Sequence, residues 1–157
     1  MAFDIANTLH AMETYIQNLG LFQTVQIGEP KQPVGQGFHA AIYMDNVSVT
    51  MVYAGGDTRE NHVVTLRIYR DMLAEQNEPQ LNLESEMASV LSKLMENLLG
   101  DTDLESTVMS IDAAGMDGGN MTATFGYTDV GGSMYRVVDI SVPLIINGSA
   151  TLSGTGV

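Results

Sequence analysis

Residues 64–70 read VTLRIYR, and this stretch decides the fold. Taken with a period of two, Val64, Leu66 and Ile68 share one side while Val63, Thr65, Arg67 and Tyr69 share the other. That is a β-strand with one apolar face for a core. Arg67 leaves the core beside an aromatic ring. Arg70 has the parity of the apolar face, so the strand must end or leave the core by then. The chain holds only six basic residues against nineteen acidic ones, for a formal net charge of −13. Two of the six lie in this one strand.

Working outward, the spacing of Ile5, Leu9, Met12, Ile16 and Leu19 predicts an amphipathic helix over residues 4–19. Asp4 sits where an N-terminal acid is favoured, and Gly20 is placed to end the helix. Period-two patterning predicts strands over 22–27, 38–44, 47–53 and 62–69. Asp45 and Asn46 suit a two-residue hairpin turn between the second and third of these. A second helix is expected over 83–99, capped by Asn82, with Glu84 and Glu86 at its positive end and Gly100 as its stop. Leu83, Met87, Val90, Leu91, Leu94, Met95 and Leu98 give it a broad apolar face. Further strands are expected over 106–113, 120–127 and 134–146, the last interrupted by Pro143. The pattern is α+β: a mainly antiparallel or mixed sheet with two helices on one face. One domain over 1–147 is expected, followed by a small-residue tail over 148–157.

Composition narrows the function. A length of 157 residues with 45% hydrophobic content suits one packed domain. The absence of cysteine excludes disulfides, thiol nucleophiles and cysteine–zinc sites. The opening MAFDIANTLH lacks the basic and apolar regions of a signal peptide, and no run reaches the ~18 apolar residues of a membrane helix. Synthesis in a cytoplasm and no membrane partner are therefore expected. A strong negative charge opposes any sequence-independent grip on nucleic acid, which relies on lysine and arginine.

The chain offers little catalytic patterning. His10, His39 and His62 fall in separate elements without zinc-site spacing. Gly35, Gly37 and Ala40 fit a GxGxxA pattern but precede a strand, where no helix N-terminus awaits a phosphate. Asp101, Asp103 and Glu105 resemble the start of a calcium loop yet lack its glycine and distant glutamate. A non-enzymatic role without metal or cofactor is the expectation.

Two features point to assembly instead. Nine of the nineteen acids lie in residues 71–105 against a single Lys93, which is either a solvated face or a functional field. In the last strand, Met134, Arg136, Val138, Ile140 and Val142 line one side, and Tyr135, Val137, Asp139 and Ser141 the other. Arg136 again neighbours a tyrosine. Arginine beside tyrosine makes a good interface anchor, or else an internal salt bridge with one of the many carboxylates.

Four ordered segments carry a resemblance: Gly28-Glu-Pro-Lys31, Phe38-His-Ala-Ala-Ile42, Leu66-Arg-Ile-Tyr69 followed by Met72-Leu73, and Tyr135-Arg-Val-Val-Asp-Ile-Ser-Val-Pro-Leu-Ile-Ile-Asn147. Together they resemble the tail terminator proteins of long-tailed bacteriophages, over nearly the whole chain up to Asn147. The resemblance implies a structural protein of the virion neck, made in the bacterial host. It would form a ring, usually a homohexamer, on the head-proximal end of the tail tube. The ring would stop tube polymerisation, meet the head-completion proteins and leave a channel through which DNA passes without specific binding. A tail-tube or head–tail connector ring, or a non-viral acidic binding module, are the alternatives. Arg67, Tyr69, Arg70, Tyr135 and Arg136 would then serve the subunit interface, and Asp101, Asp103 and Glu105 would face the channel.

Overall fold

The alternation of 64–70 sets the architecture. In a computed structural model describing residues 5–72, 82–100, 109–115 and 119–148, this segment belongs to a central strand whose Val64, Leu66 and Ile68 are fully buried. The elements in order are α1 (Ile5–Asn18), β1 (Thr24–Ile27), β2 (Phe38–Val52), β3 (Thr58–Asp71), α2 (Leu83–Gly100), β4 (Met109–Ile111), β5 (Thr122–Val130) and β6 (Ser133–Gly148). The sheet runs β1-β2-β3-β6-β4, and β5 also pairs with β6. β1 joins β2 in parallel; every other pairing is antiparallel. The fold is α+β with a six-stranded mixed sheet.

Register places the core. Ile42 lies opposite Leu66, and Leu66 opposite Ile140. These residues, with Ala40, Val64, Ile68, Val138, Val142 and Leu144, share one face of the sheet. Met12 and Ile16 of α1 and Met87, Leu94 and Leu98 of α2 pack against that face. Both helices therefore cover the same side, as the sequence predicts. The Tyr15 hydroxyl donates to the Asn97 carbonyl at 3.2 Å and ties one helix to the other. A smaller apolar cluster of Ala41, Tyr69, Val130, Tyr135 and Val137 forms on the opposite face, covered by Val34. A one-residue slip of β3 would exchange three buried side chains, each worth roughly 1.5–3 kcal/mol, for Thr65, Arg67 and Tyr69. Register is therefore strongly specified.

Local signals act as read at the helix ends. α1 stops at Gly20, which takes φ +70°, a conformation glycine adopts without strain. The Asn82 carboxamide Oδ1 accepts the Ser85 N–H at 3.1 Å, and the Asn82 carbonyl accepts the Glu86 N–H at 3.0 Å. Asn82 is thus the N-cap of α2. Asp4 lies outside the described residues, as do 73–81, 101–108 and 149–157.

Two expectations are corrected. Asp45 and Asn46 do not turn a hairpin: residues 38–52 form a single strand, with the register shifting between Met44 and Asn46 and again between Val49 and Met51. The 14 residues of β3 are long enough to pair along all of β2, so the extra residue is absorbed as a bulge rather than a reversal. The chain reverses later, where Tyr53 N–H donates to the Asp57 carbonyl at 2.8 Å and Gly55 and Gly56 both take positive φ. Pro143 also fails to interrupt its strand and pairs opposite Val63 inside β6. Its carbonyl accepts the Asp112 N–H at 2.9 Å, so its missing donor points the same way, towards the β4/β5 edge. β4 ends opposite Leu144 and β5 begins opposite Ser141. The proline sits in the gap between them.

Replacing the cap tests the placement of α2. Asn82→Ala should cost about 1 kcal/mol and lower the melting temperature by roughly 2–4 °C, measured by thermal or urea denaturation.

Candidate interaction surface

β3 carries Arg67 and Arg70 to opposite faces of the sheet. On the face away from the helices, Arg67 stands directly across from Asp139. Its Nε and Nη2 bond the two carboxylate oxygens at 2.6 and 2.8 Å, and its Nη1 reaches Glu29 Oε1 at 2.7 Å. This bidentate geometry is the strong form of an arginine–carboxylate contact. The hydrogen bond to Asp139 drives the Arg67 pKa further up and keeps the guanidinium charged. Tyr69 is buried beside it and meets Tyr135 edge-on, with ring centroids 6.0 Å apart. The Tyr135 hydroxyl accepts the Val34 N–H at 3.1 Å. Both tyrosines, grouped with the arginines by sequence, are core residues of the chain itself.

On the helix-bearing face, Arg70 and Arg136 lie directly opposite one another on β3 and β6. Like charges in that position repel, and the first turn of α2 supplies the remedy. Arg136 holds Glu84 with Nε–Oε1 at 2.6 Å and Nη2–Oε2 at 3.1 Å. Arg70 holds Glu86 at 3.3 Å and Asp71 at 3.1 Å, and lies over the Phe38 ring at 5.0 Å. The bond from Arg136 keeps the Glu84 carboxyl below the usual carboxylate range.

All three arginines thus satisfy carboxylates of their own chain, with side chains only 12–19% exposed. Asp71, Glu84 and Glu86 of the acidic segment meet these arginines intramolecularly. Asp101, Asp103 and Glu105 lie outside the described residues.

Beside these ion pairs the described surface presents two apolar groups. Arg136 lies over the Tyr127 ring at 4.5 Å and near Phe125 at 5.4 Å. With Met134, these two aromatics are large exposed hydrophobic side chains at the β5 margin. The tyrosine that Arg136 touches is therefore Tyr127 of the neighbouring strand rather than Tyr135, its neighbour in sequence. A second exposed apolar group, Val49, Met51, Val52 and Tyr53, occupies the far end of β2. Arginine framed by exposed aromatics has the composition of a contact hot spot. Sequence reading missed both patches, because each depends on which strands lie at an edge.

A buried polar chain was equally hidden. Thr58 Oγ1 donates to Glu60 Oε2 at 2.8 Å, His62 Nε2 meets Glu60 Oε1 at 2.8 Å, and His62 Nδ1 meets the Thr8 hydroxyl at 3.0 Å. Hydroxyl, imidazole and carboxylate stand in the order used for nucleophilic catalysis. Here Thr8, His62 and Glu60 are all buried in the sheet–helix interface, so the group fastens α1 to β3. Thr8 and His62 are 54 residues apart in the chain, and no local spacing signals their meeting. Among the described residues, no three His, Asp or Glu side chains converge to hold a metal ion, and no helix is long and apolar enough to cross a membrane.

Comparison with protein-family models finds no match, and none of the curated proteins matches the chain.

Two measurements check the geometry. His62→Ala would leave the buried Glu60 without its imidazole and should cost about 3 kcal/mol or more. Adding Glu60→Gln should recover part of that loss in urea unfolding. Burial pushes the Tyr69 hydroxyl up to about 12, from an ordinary value of 10.0. The folded state then binds the extra proton, so Tyr69's contribution is full below pH 10.0 and lost as pH rises through about 12. Tyr69→Phe should flatten that alkaline loss, and should remove a late phase from the tyrosinate absorbance titration.

Proposed function

We propose that the chain is a structural ring protein of a bacteriophage tail, a terminator that caps the head-proximal end of the tail tube. The observation that carries this reading is the meeting of the resembling segments at one side chain. Glu29 of the first segment and Asp139 of the fourth both bind Arg67 of the third, and Ala41 of the second lies beside Arg67 in register. Segments separated by more than a hundred residues thus build one connected unit at the centre of the sheet. That supports reading them as a single family pattern rather than four chance matches.

The physics of the surface agrees with the proposed role. A terminator ring is a closed head-to-tail assembly, so each copy needs two different contact patches, and two separate exposed apolar patches are available. A charge of −13 per copy would make a ring through which phosphates slide rather than stick. Asp101, Asp103 and Glu105 are the proposed channel acids. The partners are further copies of the chain, the tail tube protein and a head-completion protein, with the ring residing in the virion neck.

Electron microscopy and mass photometry of the purified protein test this directly. Discrete single rings are expected, at about six times the 16.9 kDa of one chain, and adding them to growing tubes should arrest elongation. Long tubes formed by the chain alone would instead make it a tube protein. Monomers at all concentrations would reduce it to a binding module.

A further inference from the structure

We infer that the ring is closed by strand pairing between copies, the outer edge of β2 over residues 46–52 in one copy joining the outer edge of β5 over 122–128 in the next. This rests on the ring reading above and names the surface and the partner, a second copy of the same chain.

Both edges are open among the described residues. β1 covers β2 only from His39 to Ile42, leaving the rest of β2 without a neighbour on that side among the described residues. Among the described residues β5 pairs with β6 alone. Edge strands normally carry charges or proline to block such joining. Residues 46–56 and 119–128 contain no Asp, Glu, Lys, Arg or Pro. In a chain with nineteen acids and six bases, these uncharged edges are where two strongly negative copies can approach with least repulsion.

The faces and directions match. Val49 lies opposite Glu60 and Val52 opposite Thr58, on the helix-bearing face. Phe125 and Tyr127 lie opposite Val138 and Arg136, on the same face. β2 is antiparallel to β3, β3 to β6, and β6 to β5, so β2 and β5 run in opposite senses. A second copy rotated about a ring axis, without being flipped, presents its β2 antiparallel to the first copy's β5. The valines of one copy then meet the aromatics of the next. Val52 is 68% exposed and Tyr127 60% exposed, so both have apolar surface to bury.

The position of the two edges makes the contact head-to-tail. Val49 stands level with Glu60 of β3, while Tyr127 reaches Arg70 of β3 through Arg136. Ten residues of strand separate those levels, about 33 Å. The edges also lie on opposite margins of the sheet. Each copy thus uses two different patches, which is what a closing ring requires.

The chain has no cysteine, so crosslinking is clean. Val49→Cys/Phe125→Cys, which stand opposite one another when 46–52 pairs antiparallel with 122–128, should give a ladder ending at the ring when treated with a short bismaleimide, because the two positions lie too far apart within one copy to be joined. Either cysteine alone should give no crosslinked dimer. Val52→Glu and Tyr127→Glu should each run as folded monomers with unchanged far-ultraviolet dichroism, and an equimolar mixture should form a 1:1 dimer through its one intact pair of edges. Rings that persist in either glutamate variant, a single-cysteine variant that crosslinks to itself, or a mixture that stays apart would each overturn the pairing while leaving a wild-type ring standing. A wild-type chain that forms no ring would overturn the ring reading, and this inference with it.

Discussion

Arg67 is the side chain on which the rest of the structure depends. From β3 it reaches β6 and the loop after β1 through charged contacts, by way of Asp139 and Glu29. A guanidinium taken largely out of water is costly unless its donors are satisfied, and the bidentate pair with Asp139 satisfies two of them. The same contact fixes register. Sliding β3 by one position would turn Arg67 into the apolar layer under the helices and turn Leu66 out towards Asp139. Hydrophobic alternation and ion pairing therefore select the same alignment, and each makes the other more specific.

Arg70 and Arg136 solve a different problem, the placement of α2. Left alone, two guanidinium groups directly opposite on adjacent strands would push the strands apart at that end. Glu84 and Glu86 neutralise them from the first turn of the helix, where acids are also favoured by the helix dipole. The helix is thus pinned at its N-terminus by charge and along its length by Met87, Leu94 and Leu98. One donor is left over: Arg70 Nε is buried without a hydrogen-bond partner among the described residues.

The sequence made short-range features legible. The alternation of β3, the apolar stripes of both helices, the Asn82 cap and the Gly20 stop all depend on neighbours within a few residues, and all are found where expected. Features that depend on distant pairing were less visible. Asp45 and Asn46 carry a turn signal, yet the length of β3 turns it into a bulge. Pro143 reads as a strand breaker, yet the gap between β4 and β5 accommodates it. Parity correctly sent Arg67 away from the core and left Arg70 on the core side. It could not show that Glu29, Asp139, Glu84 and Glu86 would be waiting. Tyr135 looked like the partner of Arg136 because it adjoins it in sequence, whereas successive residues of a strand point to opposite faces.

The internal use of the arginines changes what can hold copies of this chain together. A protein with nineteen acids has few cations to offer a neighbour, and Arg67, Arg70 and Arg136 are engaged by their own carboxylates. Ionic attraction between copies is thereby weakened as an organising force, while repulsion between their remaining acids persists. In the proposed ring, association would then rest chiefly on contacts that carry no charge. The uncharged margins of β2 and β5 supply backbone donors, backbone acceptors and exposed apolar side chains together. In the proposed ring, acid would keep copies apart everywhere except at these two edges. The scarcity of positive charge in the sequence and the neutrality of two strand edges are then two aspects of one requirement.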